Sequence, residues 1–319
     1  MKKLLAVVNP KSGTGNQEQI PDLLDSVIDK SRFSVDVRVV QAEGDAYRFG
    51  REAVDNGYYG LVAIGGDGTV NGAASAVINT DVALAVVPCG SGNGLGRHLN
   101  IPMNVRKALS LINDDRVERF DYGTVNDRPF MCTCGMGFDA QVAFDFANAG
   151  TRGFTTYIKK TFSVYANYQC EDYIIELNGK RLEEKAFVIA LCNAAQYGNN
   201  SFIAPHASMQ DGMIDMTVIS PFKFFSAPVV GLSLFFKNID KNRHVAIYRA
   251  SEIKIIRKHA GPMHIDGDPV EMPKELLIKC HRNGLKMFSP GLGENNTPQP
   301  VRELLLSFFQ LSIYKCQYL

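Results

Sequence analysis

LVAIGGDGTVNGAASAVIN, residues 61–79, decides the fold. LVAI is a short unbroken apolar run, the signature of a strand buried on both faces. GGDGT follows at once, and then a segment of small residues with helical character. Strand, glycine turn and helix in that order make one βα unit of a parallel sheet. A turn needs one or two glycines. Here there are three in four positions, with Asp67 among them. Glycines let phosphate oxygens approach backbone amides, and the helix start beyond adds partial positive charge. A carboxylate beside phosphate is repulsive unless a cation lies between them or the acid acts on a hydroxyl. The plainer alternative for Asp67 is an Asx-type turn.

Two more strand–loop pairs surround this one. LLAVV leads into NPKSGTGN (9–16), and DVALAVVP leads into the glycine loop PCGSGNGLG (88–96). QEQIPDLLDSVIDK, GDAYRFGREAVDNG and NVRKALSLIND carry helical periodicity, and FSVDVRVV alternates as a strand. The expected first domain, residues 1–122, is therefore α/β with a parallel, Rossmann-like sheet. Ligands of such sheets bind at the carboxyl ends of the strands, where all three glycine loops lie. Neither GxxxxGK[ST] nor GxGxxG is present, which argues against a Walker-type NTPase and a dinucleotide dehydrogenase.

Past residue 122 the character changes. DYIIELNGKRL, KAFVIALCN, IDMTVISP, HVAIYRA, SEIKIIRK, MHIDGDPV and ELLIKCH are short strand-like segments. Asn178-Gly179 and Asn283-Gly284 read as turns between strands. Residues 123–290 are expected to form a β-rich sandwich, with one helical interlude, TTYIKKTFSVYANY. GLGENNTPQP is a polar linker. The tail, 301–319, is expected to pack on the first domain or on a second copy of the chain, which leaves a homodimer open. Its other reading is an apolar membrane contact through Leu304, Leu305, Phe308, Phe309 and Leu311.

The 319 residues are 45% hydrophobic and 21% charged with net charge +1, ordinary for a globular protein and without a field for nucleic acid. No secretory signal or membrane span is evident. Seven cysteines without CxxC spacing suggest free thiols in a reducing cytoplasm.

In the second half, Asp266-Gly267-Asp268 lies in a turn. Two carboxylates so near each other can raise one pKa, as a general base requires. A solvated hairpin turn is the alternative. Near APHASMQDGM, the oxygens of Ser208 and Asp211 with a backbone carbonyl suit Mg²⁺ or Ca²⁺, and a turn is again the alternative.

With NPKSGTGN, GGDGTVN, PCGSGNGLGRHLNIP, GMGFDAQV, APHASMQDGMIDMTVI and IDGDP in this order, the chain resembles the diacylglycerol kinase catalytic-domain family up to about Pro290. That family contains bacterial lipid kinases, sphingosine kinases and ceramide kinases. The resemblance implies an NAD kinase- or phosphofructokinase-like first domain and a β-sandwich second domain. It implies ATP and Mg²⁺ as cofactors and a lipid acceptor at the membrane surface, from a cytoplasmic or peripheral location. By resemblance, Asn9, Pro10, Lys11, Ser12 and Gly13 form the first nucleotide loop. Gly65, Gly66, Asp67, Gly68, Thr69 and Asn71 form the second, and Ser91, Gly92 and Asn93 the third. Gln41 stands where bacterial members have a nucleotide-touching threonine. Ser208, Asp211 and the carbonyl of Met213 match a second, structural Mg²⁺ site. Asp266 and Asp268 match a DGE element, with Asp268 for Glu and one of the pair as base. Gly72 and Gly94 stand where many members carry acids, so diacylglycerol, a sphingoid base or a related lipid all stay open as acceptor. An NAD kinase sharing GGDGT and a catalytically weak nucleotide- or lipid-binding protein are the competing readings.

Overall fold

The structure is a computed structural model that describes residues 1–12, 20–90, 92–147, 163–165 and 167–291. The tail, and most of the helical interlude expected after residue 154, lie outside the described residues.

The first half alternates as the glycine loops demand. β1 (Lys2–Val8), α1 (Ile20–Val27), β2 (Phe33–Val39), α2 (Asp45–Asp55), β3 (Gly60–Gly65), α3 (Asp67–Val77) and β4 (Ala83–Pro88) follow in turn. Then come the short helix α4 (Gly94–His98) and α5 (Val105–Asp114). β1 pairs in parallel with β2 and β3, and β3 with β4. LLAVV, GLVAIG and ALAVVP are buried at every position, as central parallel strands covered on both faces must be. α2 and α3 pack through small residues. A Cβ on Gly50 would come within 2.5 Å of the Ala76 Cβ, and one on Gly72 within 3.2 Å of the Ala46 Cβ.

The second half begins with β5 (Val117–Val125), β6 (Arg128–Phe130), β7 (Thr133–Gly137) and α6 (Phe138–Ala147). It continues with β8 (Glu171–Leu177), β9 (Lys180–Ala186), β10 (Val188–Cys192), β11 (Ile214–Ile219) and the helix α7 (Ala227–Phe235). β12 (Val245–Ala250), β13 (Glu252–Arg257), β14 (Gly261–Ile265), β15 (Asp268–Met272) and β16 (Glu275–Phe288) complete it. Two sheets face each other across a core that includes Ile175, Ile189, Leu191, Met216, Ile253, Ile255 and Ile278. One is antiparallel, ordered β12-β11-β10-β7-β14-β15. The other is the far end of the first domain's own sheet, ordered β2-β1-β3-β4-β16-β13-β8-β9, with β5 beside β16.

β16 makes this continuity. Ile278 pairs with Ile253 of the sandwich, while Met287 pairs with Leu84 of the parallel sheet. Asn178-Gly179 is a hairpin turn, as expected, between β8 and β9. Asn283-Gly284 is not a turn between strands. It is an irregularity inside β16, where the register against β5 shifts between His281 and Leu285. A Cβ on Gly284 would lie 2.4 Å from Tyr122 Cε1, and its carbonyl accepts from the Asn79 amide at 2.7 Å. The glycine serves a close approach, which local sequence renders identically to a turn. Helices α6 and α7 were not evident from sequence. Both lack a polar face, so helical periodicity is weak in them.

Candidate active site

β3 ends at Gly65, where a Cβ would lie 2.6 Å from the Thr69 side chain. α3 starts two residues later, so the chain reverses within GGDGT at a point where Gly65 has no room for a side chain. Thr69 Oγ1 accepts from Asn9 Nδ2 at 2.9 Å, and Asn9 Oδ1 accepts from the Lys11 amide at 3.0 Å. The first loop is thus tied to the second through Asn9. The third loop closes on itself: Asn93 accepts from the Gly90 amide at 2.9 Å and donates to the Gly90 carbonyl at 2.6 Å. Gly90 meets Gly66 so closely that a Cβ on Gly90 would be 2.8 Å from the Gly66 Cα.

Asp67 joins the second loop to the third. Its Oδ2 accepts from the Asn93 amide at 3.0 Å and its Oδ1 from the Gly94 amide at 2.9 Å. A Cβ on Gly92 would be only 2.7 Å from Asp67 Oδ2. Burial raises the Asp67 pKa against these two amides, and the Asp266 charge raises it further. Arg97, half-buried, donates from Nε to the Gly92 carbonyl at 3.0 Å. Burial lowers its pKa and the Asp67 charge opposes that. Arg97 was not singled out from LGRHLN; the signal there was a cation one turn beyond a glycine loop.

The β14–β15 hairpin brings the second domain to this place. Asp266 and Gly267 turn with φ of 47° and 93°, the two-residue geometry that the sequence Asp-Gly favours. The Asp266 carboxylate is fully engaged. It accepts from the amides of Met131 at 2.8 Å, Cys132 at 2.8 Å and Thr133 at 3.0 Å, and from Asn71 Nδ2 at 2.7 Å. Asp268 is different. It is exposed, and its Oδ2 would be 3.1 Å from a Cβ on Gly68, over the first turn of α3. Desolvation by the walls around it raises its pKa, and the charges of Asp266, Asp67 and Glu43 add to that. Glu43, in the loop before α2, also escaped the sequence reading. Beneath the hairpin, Asp139 Oδ2 accepts from the Tyr197 hydroxyl at 2.7 Å and meets Nε2 of buried His264 at 3.2 Å.

The remaining expected residues fall as follows. Pro10, Lys11 and Ser12 stand at the start of the first loop, where Lys11 is exposed; Gly13 and Ser91 lie outside the described residues. Gln41 is exposed, and its amide donates to Asp45 Oδ2 at 2.9 Å. Gly72 faces the start of α2, where an added Cβ would be 3.4 Å from the Tyr47 amide nitrogen. Gly94 is buried, with the Tyr197 carbonyl 3.5 Å from where its Cβ would be. Gly72 therefore has a packing reason in the α2–α3 contact, whereas a Cβ on Gly94 would meet only ordinary contacts.

Ser208, Asp211 and Met213 do not join this site. Ser208 Oγ accepts from the Gln210 amide at 3.2 Å, and Asp211 Oδ1 accepts from the Met213 amide at 2.9 Å. Arg249 ion-pairs with the other Asp211 oxygen, and its Nε lies 3.2 Å from Asp215. Arg282 donates to the Asp211 carbonyl at 2.9 Å. As arranged, these three residues do not fit a cation, because guanidinium groups already supply the positive charge at Asp211.

Relationships of three kinds to known proteins bear on this geometry. Residues 3–125 match the model described as "Diacylglycerol kinase catalytic domain", and residues 132–289 match "YegS C-terminal NAD kinase beta sandwich-like domain". The chain is 26% identical over 298 residues to a "Probable lipid kinase YegS-like" of Alcanivorax borkumensis, covering 91% of this chain and 97% of that one. It is 26% identical over 263 residues to a protein of the same description from Chromohalobacter salexigens, covering 80% and 85%. The fold superposes on a diacylglycerol kinase from Bacillus anthracis with TM-score 0.71 at 20% identity, covering 91% and 97%. It also superposes, more distantly, on an NAD kinase from Archaeoglobus fulgidus with TM-score 0.51 at 14% identity, covering 95% and 98%.

Proposed function

Since the chain belongs to the diacylglycerol kinase catalytic-domain family of lipid kinases, we propose that it transfers the γ-phosphoryl group of ATP to a hydroxyl of a lipid acceptor. The observation that carries this reading is the meeting of three glycine loops with the Asp266–Asp268 turn. The loops bring glycine backbone without side chains to the start of α3, and the turn offers a carboxylate free to act.

The two carboxylates of the turn divide the work. Asp266 accepts from four donors, so its oxygens are occupied in positioning the turn. Asp268 accepts the proton of the lipid hydroxyl as that oxygen attacks the γ-phosphorus. The new O–P bond forms as the bond to the ADP oxygen breaks, giving a phosphate monoester and ADP. A carboxylate whose pKa is raised accepts a proton more readily than an ordinary one, as a general base must. Asn71 ties the turn to α3, so the base is held against the phosphate-binding helix start.

Mg²⁺ would enter with the nucleotide and neutralise charge between the phosphates and Asp67. Among the described residues, no three His, Cys, Asp or Glu side chains gather around one point. Phosphate oxygens would therefore complete the coordination. Desolvation first, and then the Asp266 charge, raise the pKa of both Asp67 and Asp268, so a cation brought with the nucleotide would meet uncompensated carboxylates here.

The test is acceptor choice. Purified protein with Mg·ATP is given extracted cellular lipids in one arm and NAD in the other, with products read by mass spectrometry. Phosphorylated lipid and unchanged NAD are expected. Phosphate on NAD and none on lipid would overturn the reading.

A further inference from the structure

Helix α7 carries apolar side chains on both faces. Val230 and half-buried Leu234 pack inward with Val188, Phe202, Ile203 and Ile219 on the outer side of the antiparallel sheet. On the opposite side, the turn before the helix and the helix itself present Phe225 (89% exposed), Val229 (62%), Leu232 (52%) and Phe236 (39%). Their spacing of four, three and four residues aligns them as one stripe. A solvent-facing helix normally carries charge on that side, and a contiguous exposed apolar stripe marks a contact surface.

The ends of the stripe are basic. Lys223, Lys241 and Arg243 are exposed, while half-buried Lys237 lies over the Phe202 ring. The one acid between residues 220 and 244 is Asp240, whose carboxylate faces His206 at 3.5 Å. Apolar residues flanked by cations match the interface of an anionic bilayer, where the rings enter the acyl boundary and the amines meet phosphate headgroups. A two-fold pairing of this surface with its own copy would set the same cations against one another. A packed aromatic series connects the stripe to α6 within the second domain. Phe225 meets Phe224 at 6.2 Å, Phe224 meets Tyr165 at 5.6 Å, and Tyr165 meets Phe138 at 5.9 Å, at the start of α6. β7, which immediately precedes Phe138, supplies the Thr133 amide that holds Asp266.

We propose that Phe225, Val229, Leu232 and Phe236 form the membrane-docking surface of this protein, seated on an anionic lipid bilayer through Lys223, Lys241 and Arg243. The inference rests on the lipid-kinase reading for its biological sense, but it is tested without turnover. Among the described residues no helix is long and apolar enough to cross a membrane.

The sequence has no tryptophan, so Phe225→Trp installs a single reporter. Adding vesicles of phosphatidylcholine with phosphatidylglycerol should shift its emission to the blue, and phosphatidylcholine alone should shift it less. In sedimentation with the mixed vesicles, the triple variant F225E/V229E/L232E should bind at least about tenfold more weakly than the wild type, with an unchanged melting temperature. K223E/K241E/R243E should lose the preference for the anionic lipid. Unmoved Trp emission, equal binding of the triple variant, or a wild-type dimer that the triple variant converts to monomer would overturn the proposal. Vesicle binding lost in the variant while neither protein phosphorylates any lipid would uphold docking and sink the kinase reading instead.

Discussion

Asn71 Nδ2 donates to Asp266 Oδ2 at 2.7 Å, joining residues 195 positions apart. It links the helix that starts at the glycine loop to the turn that carries the proposed base. With the amides of Met131, Cys132 and Thr133 it leaves Asp266 as an anchor and Asp268 as the group with chemical freedom.

Asp268→Asn is therefore expected to reduce turnover by about a hundredfold or more while leaving the melting temperature close to that of the wild type. Asp266→Asn should behave otherwise. Its amide NH₂ would face a row of donors, so stability should fall by about 2–4 kcal/mol together with activity. Thermal melts and steady-state assays of the two variants side by side check this. Equal loss of stability in both would remove the division of roles.

Gly72→Glu tests why an acid is missing beside Asn71. The added side chain meets Ala46 and the Tyr47 amide in the α2–α3 contact. The variant should lose about 1–3 kcal/mol in denaturant unfolding rather than gain activity.

Arg249→Met leaves Asp211 and buried Asp215 without their guanidinium. A loss of about 1–3 kcal/mol is expected, discounted from the fully buried case because Arg249 is half exposed. In the wild type, titrating Mg²⁺ without nucleotide should leave the melting temperature unchanged. In Arg249→Met, Mg²⁺ should restore part of the loss, since Asp211, Ser208 and a carbonyl would then be open to it.

Asp45 gives a pH signature. It accepts from the amides of Gln41 and Ala42 and pairs with Arg48, which together lower its pKa from 3.8 to about 2. The folded value lies below the unfolded one, so its contribution is complete above about pH 4 and disappears as pH falls towards 2. The gap in urea midpoint between the wild type and Asp45→Asn should thus narrow as pH is lowered from 4.5 to about 3.

The glycine loops were legible because only unsubstituted backbone fits where Gly66 meets Gly90 and Gly92 meets Asp67. The buried strands were legible for the same kind of reason, since LVAI and LLAVV leave no face for water. What stayed hidden depends on distance along the chain. Asp266 and Asp268 are equivalent in the string IDGDP; only amides from residues 131–133 tell them apart. Arg249 lies 38 positions from Asp211, so no local pattern could reveal that a guanidinium neutralises that carboxylate. The small residues of VNGAASAV signalled a helix, but the partner that requires Gly72 belongs to α2. Helix α7 was missed because its outward stripe is apolar, which removes the contrast that helical periodicity depends on.

β16 has a consequence for how the protein is made. The parallel sheet emerges from the ribosome with β4 as a bare edge, and β5 and β13 wait beside it. The strand that seals all three comes last among the described elements, and an open edge invites pairing with the wrong chain. Synthesis of more than half the polypeptide must pass before that edge is covered. A nascent chain halted before residue 275 is thus an aggregation-prone, unsealed product, and the final strand acts as the point of commitment for both domains at once.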